Sequence, residues 1–252
     1  MEQTHVNTEL VGPTHFESSR LGVGVVAPYD FALDDEYWRW VGKNVSVYIT
    51  RTPYLDLAVS VEMAAAVSSL ADATAGARAV MSARPASVLY ACTSGSFVGG
   101  RTGERALRQA IEDAVDLPAV TTSGALLDAL EELDVNHVAI ATPYDRDVSD
   151  HLTQFLTESG CQVENCSYLG LDADIANVDA NTIRSLARAA DSPRAEALFL
   201  SCTNLRTFDI LSDLEEELGK PVLSANQVSF WAALRAGRLP PLQNAGSLGI
   251  IE

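Results

Sequence analysis

VGVVAPYD (residues 23–30) and HVAIATPYD (residues 137–145) end alike: an apolar run that reads as a buried strand leads into Pro-Tyr-Asp. Cys92, in YACTSGS (90–96), stands 64 residues beyond Pro28, and Cys202, in LSCTN (200–204), stands 59 beyond Pro143, each again closing a short apolar run. Two matched endings at nearly one spacing mark a duplicated α/β unit with one thiol per copy. Outward from these points the apolar pattern predicts strands over 21–28, 45–51, 87–92, 118–122, 137–142, 161–168, 196–202 and 221–225. Amphipathic stretches over 103–115, 124–133, 147–159, 181–190 and 208–218, with a last one over 227–236, read as helices because apolar residues return every three or four positions. This alternation predicts an α/β fold of two pseudo-symmetric lobes, each a four-stranded parallel sheet flanked by helices. The expected division is a loose tail over 1–19, a first lobe over 20–117 completed by 226–252, and a second lobe over 118–225. No low-complexity linker separates the lobes, so close contact is expected.

The chain has 252 residues, 47% hydrophobic and 20% charged, which is ordinary for a globular protein and enough for two lobes of about 110 residues. Its net charge of −17, with only Lys43 and Lys220 as lysines, is unusual. A surface this acidic repels phosphate backbones and anionic bilayers, so neither nucleic acid nor membrane is an expected partner. It also suits solubility in concentrated salt, and a halophilic source is one reading of it. No apolar run approaches the roughly 20 residues that span a bilayer, and the start is polar, so a soluble cytoplasmic protein is expected, with room for a homo-oligomer. The four cysteines read as free thiols, and Cys161 and Cys166 have no partners at metal-ligand spacing.

Ligands of open α/β sheets gather beyond the carboxyl ends of the strands, where Pro28, Tyr29, Cys92, Tyr144 and Cys202 all fall. After Cys92 the small residues Thr93, Ser94, Gly95 and Ser96 offer backbone N–H groups and hydroxyls to a carboxylate or enolate; Thr203 and Asn204 repeat the arrangement after Cys202. The same donors would lower a thiol from its free value of about 8.5 toward neutrality. One cysteine at a strand end is most simply a small buried hydrophobe, but two in matched positions favour catalysis. Tyr144 and Tyr29 are candidates to bind a substrate carboxylate, against the alternative of packed rings, while at least one of Asp30 and Asp145 is expected to be a helix cap.

Other signals lead nowhere. Gly22, Gly24 and Ala27 spell a dinucleotide fingerprint inside the strand rather than after it. His5, His15, His137 and His151 have no metal or triad spacing. Trp38, Trp40 and Trp231 read as core or lobe-interface residues.

The two cysteine segments, YACTSGSFVGG (90–100) and LSCTNLRTFD (200–209), resemble those of the aspartate/glutamate racemase superfamily. VLSANQVSFWAALRAG (222–237) narrows the resemblance to the branch of maleate cis-trans isomerases, arylmalonate decarboxylases and ectoine-utilisation relatives. The resemblance implies two pseudo-symmetric lobes with the site between them, and no metal, pyridoxal phosphate or nicotinamide. It implies that Cys92 is the nucleophile of a maleate isomerase, Cys202 its acid/base partner and Tyr144 a carboxylate ligand. Decarboxylases of the branch lack the first cysteine, so Cys92 speaks against decarboxylation. Maleate isomerases usually follow the first-lobe proline with Ser-Ser-Asn-Thr, whereas this chain has Tyr29, Asp30, Phe31 and Ala32, which puts maleate itself in doubt.

Three functions are therefore expected in descending order. The first is a cofactor-independent cis-trans isomerase of a small dicarboxylate, using both thiols. The second is an amino-acid or hydantoin racemase using the same pair, and the third is a carboxylate-binding protein without chemistry.

Overall fold

A computed structural model describes residues 21–243 and 245–249. The tail expected over 1–19, with His5 and His15, lies outside the described residues.

The first sheet is built from β1 (Leu21–Ala27), β2 (Val45–Arg51), β3 (Ser87–Tyr90) and β4 (Ala119–Thr121), in the order β2-β1-β3-β4. The second uses β5 (His137–Thr142), β6 (Gln162–Tyr168), β7 (Ala197–Leu200) and β8 (Val222–Ser224), in the equivalent order β6-β5-β7-β8. Every strand pair is parallel. Parallel neighbours need crossovers, and the helices supply them: α1 (Asp34–Trp40), α2 (Val61–Val67), α3 (Leu70–Val80), α4 (Thr93–Phe97), α5 (Gly100–Val115), α6 (Thr122–Glu132), α7 (Arg146–Glu158), α8 (Ala180–Ala190), α9 (Leu211–Leu218) and α10 (Ala225–Ala236). Among the described residues no helix is long and apolar enough to cross a membrane.

The duplication extends to single hydrogen bonds. In the first sheet Val26 pairs with Tyr90, and the Ala91 N–H donates to the Val26 carbonyl at 2.8 Å. In the second, Ala141 pairs with Leu200, and the Ser201 N–H donates to the Ala141 carbonyl at 2.9 Å. Pro28 therefore stands beside Cys92 in the register that sets Pro143 beside Cys202.

The lobe boundary expected at 117 is displaced. β4 pairs with β3 of the first sheet, and α6 after it packs against α10, so the break falls between Glu132 and His137. The turn before a three-residue strand resembles the start of a new unit when only the Pro118 break is visible. Helix α10 returns to the first lobe against β3, β4 and α6, where the Ser87 hydroxyl donates to the Ala233 carbonyl at 2.7 Å and that of Ser229 to Thr122 Oγ1 at 2.9 Å. Nearly every side chain of α10 is buried, as befits a helix without a polar face. Trp40 and Trp231 are core residues, whereas Trp38 is 50% exposed, because the seven-residue α1 turns it outward. Gly22 and Gly24 serve packing rather than a nucleotide: a Cβ at Gly22 would lie 2.9 Å from the Ser46 carbonyl oxygen and one at Gly24 2.7 Å from Val80.

Candidate active site

Cys92 lies two residues past the end of β3 and N-caps α4, with the Gly95 N–H 3.4 Å and the Ser94 hydroxyl 3.9 Å from its sulfur. A Cβ at Gly95 would stand 3.1 Å from that sulfur and 2.6 Å from the Tyr90 hydroxyl, so glycine is what lets this amide close on the thiol. Cys202 holds the same register in the second sheet, but no helix follows it until Leu211. Its φ is +102°, in the left-handed region, which costs a residue with a Cβ about 1–3 kcal/mol. The Asn204 N–H meets the Cys202 sulfur at 3.4 Å, and the nearby buried Tyr144 hydroxyl favours its thiolate.

Both cysteines line one narrow cleft, whose cavity volume is about 20 Å³. Its polar lining is Thr93, Ser94, Tyr144, Thr203 and Asn204, and Pro28, Val59, Met63 and Ile175 add an apolar wall. Thr93 is 1% exposed, and its hydroxyl has no hydrogen-bond partner among the described residues. Asp30 stands at the mouth of the cleft. Among the described residues no arginine, lysine or histidine lines it.

Electrostatics overturn one expectation. Burial pushes the Cys92 thiol up to about 11 and Cys202 up to about 12, and the nearby Asp30 carboxylate adds to both. The Gly95 and Asn204 N–H groups and the Tyr144 hydroxyl pull the other way without prevailing. Desolvation of a thiolate outweighs one amide contact, so burial holds both thiols protonated at neutral pH.

Other assignments also change. The Tyr29 hydroxyl donates to the Leu57 carbonyl at 3.0 Å and its ring packs edge-on against Tyr54, so Tyr29 anchors the loop between β2 and α2 and does not line the cleft. Asp145 caps α7 through the Val148 N–H at 2.9 Å, but Asp30 caps nothing, since α1 begins only at Asp34 after Leu33. Asn204 lines the cleft, yet its side-chain amide is bound to the first lobe, at the Ala32 N–H and the Asp30 carbonyl. The Asn226 side chain, in the closing stretch, holds the Thr203 carbonyl at 3.0 Å.

Sequence reasoning missed the residues that lock the lobes together. The buried Glu36 carboxylate accepts from the Thr207 N–H at 3.1 Å, the Thr207 hydroxyl at 2.8 Å and the Phe208 N–H at 2.9 Å. Arg39 pairs with Asp209, and Arg206 with Asp35 at 2.9 Å. Over the cleft, the Val59 N–H donates to the Asp172 carbonyl at 2.8 Å. The wall residues Val59, Met63 and Ile175 come from connecting segments whose sequence gave no sign of convergence. The acidic run Asp34-Asp35-Glu36 was the one visible hint of the lock.

Two parallel-sheet lobes presenting paired thiols across a cleft define the class. Residues 55–248 match the arylmalonate decarboxylase family, and the chain belongs to it. It is 38% identical over 147 residues to the arylmalonate decarboxylase of Bordetella bronchiseptica, a match covering 57% of this chain and 61% of that enzyme's length. It is 26% identical over 169 residues to the maleate isomerase of Nocardia farcinica, covering 64% of this chain and 67% of that one. Among solved structures, a glycine-to-cysteine, cysteine-to-serine double mutant of arylmalonate decarboxylase in its liganded form superposes with a TM-score of 0.83 at 29% identity, covering 91% of this chain and 98% of that one.

Proposed function

We propose that the protein is a cofactor-independent isomerase of a small carboxylate, worked by Cys92 and Cys202 from the two lobes. The observation that carries this reading is that both thiols line the same cleft from equivalent strand ends, among neutral donors suited to a carboxylate. In the cis-trans route, of the kind named for the maleate isomerase relatives, Cys92 reacts through its minor thiolate form, which adds to one alkene carbon while Cys202 protonates the other. The new single bond rotates, Cys202 takes a proton back, and the carbon–sulfur bond breaks to give the trans product. Backbone N–H groups after the cysteines and the Tyr144 and Thr93 hydroxyls stabilise the enolate that forms between these steps.

A second reaction of the same pair is racemisation at the carbon beside a carboxylate, one thiolate removing a proton and the opposing thiol returning one. Asp30 favours it, because an acidic residue stands where the resemblance leads one to expect a neutral one. Incubation in heavy water separates the routes: racemisation puts deuterium at the stereocentre of recovered substrate, while cis-trans isomerisation forms an adduct on Cys92 visible by mass spectrometry. Cys92→Ala and Cys202→Ser are each expected to abolish turnover nearly completely. Full activity in either removes the two-thiol reading, and carboxylate binding without turnover that survives loss of both thiols leaves a binding protein.

A further inference from the structure

Among the described residues, Asp30 is the one charged group lining the cleft that Cys92 and Cys202 share. The residue has exposed surface at the mouth, while partial burial of its carboxyl raises its pKa and its own backbone N–H lowers it, so a cationic partner would favour the carboxylate. Its field reaches both sulfurs and disfavours both thiolates. The anion-binding side of the cleft, by contrast, is neutral: the unpartnered Thr93 hydroxyl with those of Ser94 and Tyr144. The third surface is the apolar wall of Val59, Met63 and Ile175.

We infer that Asp30 is a cation-recognising group, and that the substrate is a zwitterion, an α-amino acid with a short apolar side chain. Its carboxylate lies on the neutral donors, its ammonium on Asp30 and its side chain against Val59, Met63 and Ile175. This rests on the two-thiol reading and selects racemisation within it. A dicarboxylate would bring two anionic groups into a cleft where, among the described residues, the one charged side chain is acidic and no cation stands. Burial is the larger cause of both raised thiols and the Asp30 carboxylate the smaller, and an ammonium at Asp30 offsets that smaller share, so binding moves the thiols toward the thiolate. One cysteine, as thiolate, removes the Cα proton. The electron pair of the broken C–H bond enters the carboxylate as an enediolate, and the other thiol delivers its proton to the opposite face. The mirror-image amino acid leaves with the protonation of the two cysteines exchanged, and nothing is oxidised or reduced.

The test is calorimetric binding of 2-aminobutyrate, 2-hydroxybutyrate and maleate to the wild-type protein and to Asp30→Asn and Asp30→Glu, each checked for folding by circular dichroism. The wild type is expected to bind 2-aminobutyrate about tenfold or more tightly than either other compound. Asp30→Asn should erase that preference and Asp30→Glu restore part of it. Equal or tighter binding of the hydroxy acid or of maleate, no binding of the amino acid, or a preference that survives Asp30→Asn each overturns the assignment. Deuterium uptake from heavy water by the wild type, Cys92→Ala and Cys202→Ser tests the thiols separately. Thiol-dependent exchange on a compound lacking the amine keeps the two-thiol reading and discards Asp30. Amine-selective binding without thiol-dependent exchange does the reverse.

Discussion

Asn204 grips Ala32 from the far side of the cleft: its Oδ1 accepts the Ala32 N–H at 2.9 Å, while its Nδ2 donates to the neighbouring Asp30 carbonyl at 3.2 Å. Both ends of one amide are spent on the backbone of the other lobe, two residues from the Cys202 sulfur. Asn204→Ala is expected to cost about 1–3 kcal/mol in urea unfolding, because it leaves a backbone N–H and carbonyl unpaired at the lobe contact. It should also lower kcat more than it raises KM, since the side chain aligns the thiols without offering its own donors to a ligand. An unchanged unfolding midpoint would show that water replaces the amide without loss.

The thiols predict alkaline behaviour with a definite sign. Each holds its proton more tightly folded, at about 11 for Cys92 and about 12 for Cys202, than unfolded, where the value is near 9.0. Stability is therefore full below about pH 9 and declines as pH rises through the folded values, by about 2–3 kcal/mol for a group raised by two units. Cys92→Ser should flatten that decline relative to wild type in a pH series of chemical denaturation. An identical slope in the variant would mean that the Cys92 thiol is not perturbed.

Glu36 closes the lobes through buried contacts, so its loss is expected to be expensive. Glu36→Ala strands the Thr207 hydroxyl and the Thr207 and Phe208 N–H groups, which accounts for about 3–5 kcal/mol. Glu36→Gln keeps an acceptor and should lose clearly less. Equal losses in the two variants, measured by urea unfolding, would refute a role based on acceptance.

Tyr37 makes the opposite case. It is fully buried, stacked on Phe31 with ring centroids 4.6 Å apart and against Phe230 at 4.7 Å, and its hydroxyl has no partner among the described residues. Tyr37→Phe removes an unpaired buried polar group while leaving the ring, so unfolding should be unchanged or harder by about 1 kcal/mol. Destabilisation beyond that range would point to a hydrogen bond made by a bound water.

Much of the architecture was legible because the strands are continuous apolar runs, and the Pro-Tyr-Asp and cysteine endings set two of them side by side in each sheet. The short elements were not. Thr93–Phe97 and Asp34–Trp40 have too few turns for a helical period to emerge, and Ala119–Thr121 is assigned to the first sheet only by its pairing with β3. Spelling also overstated the symmetry of the site. Tyr144 lies in the cleft while Tyr29 faces Leu57, and Asp145 caps a helix while Asp30 meets none within reach. These differences arise from the loops that follow, as does the failure of a local rule about amide donors to foresee thiols whose protonation is governed by burial.

The backbone at Cys202 sits where glycine would rest at ease. A chain shaped for durability alone would put glycine there, so the molecule carries a permanent conformational tension at the point where it displays its sulfur. Robustness and reactivity are set against each other at that single position, and any effort to toughen the protein by relaxing it would give up the group on which the proposed chemistry turns.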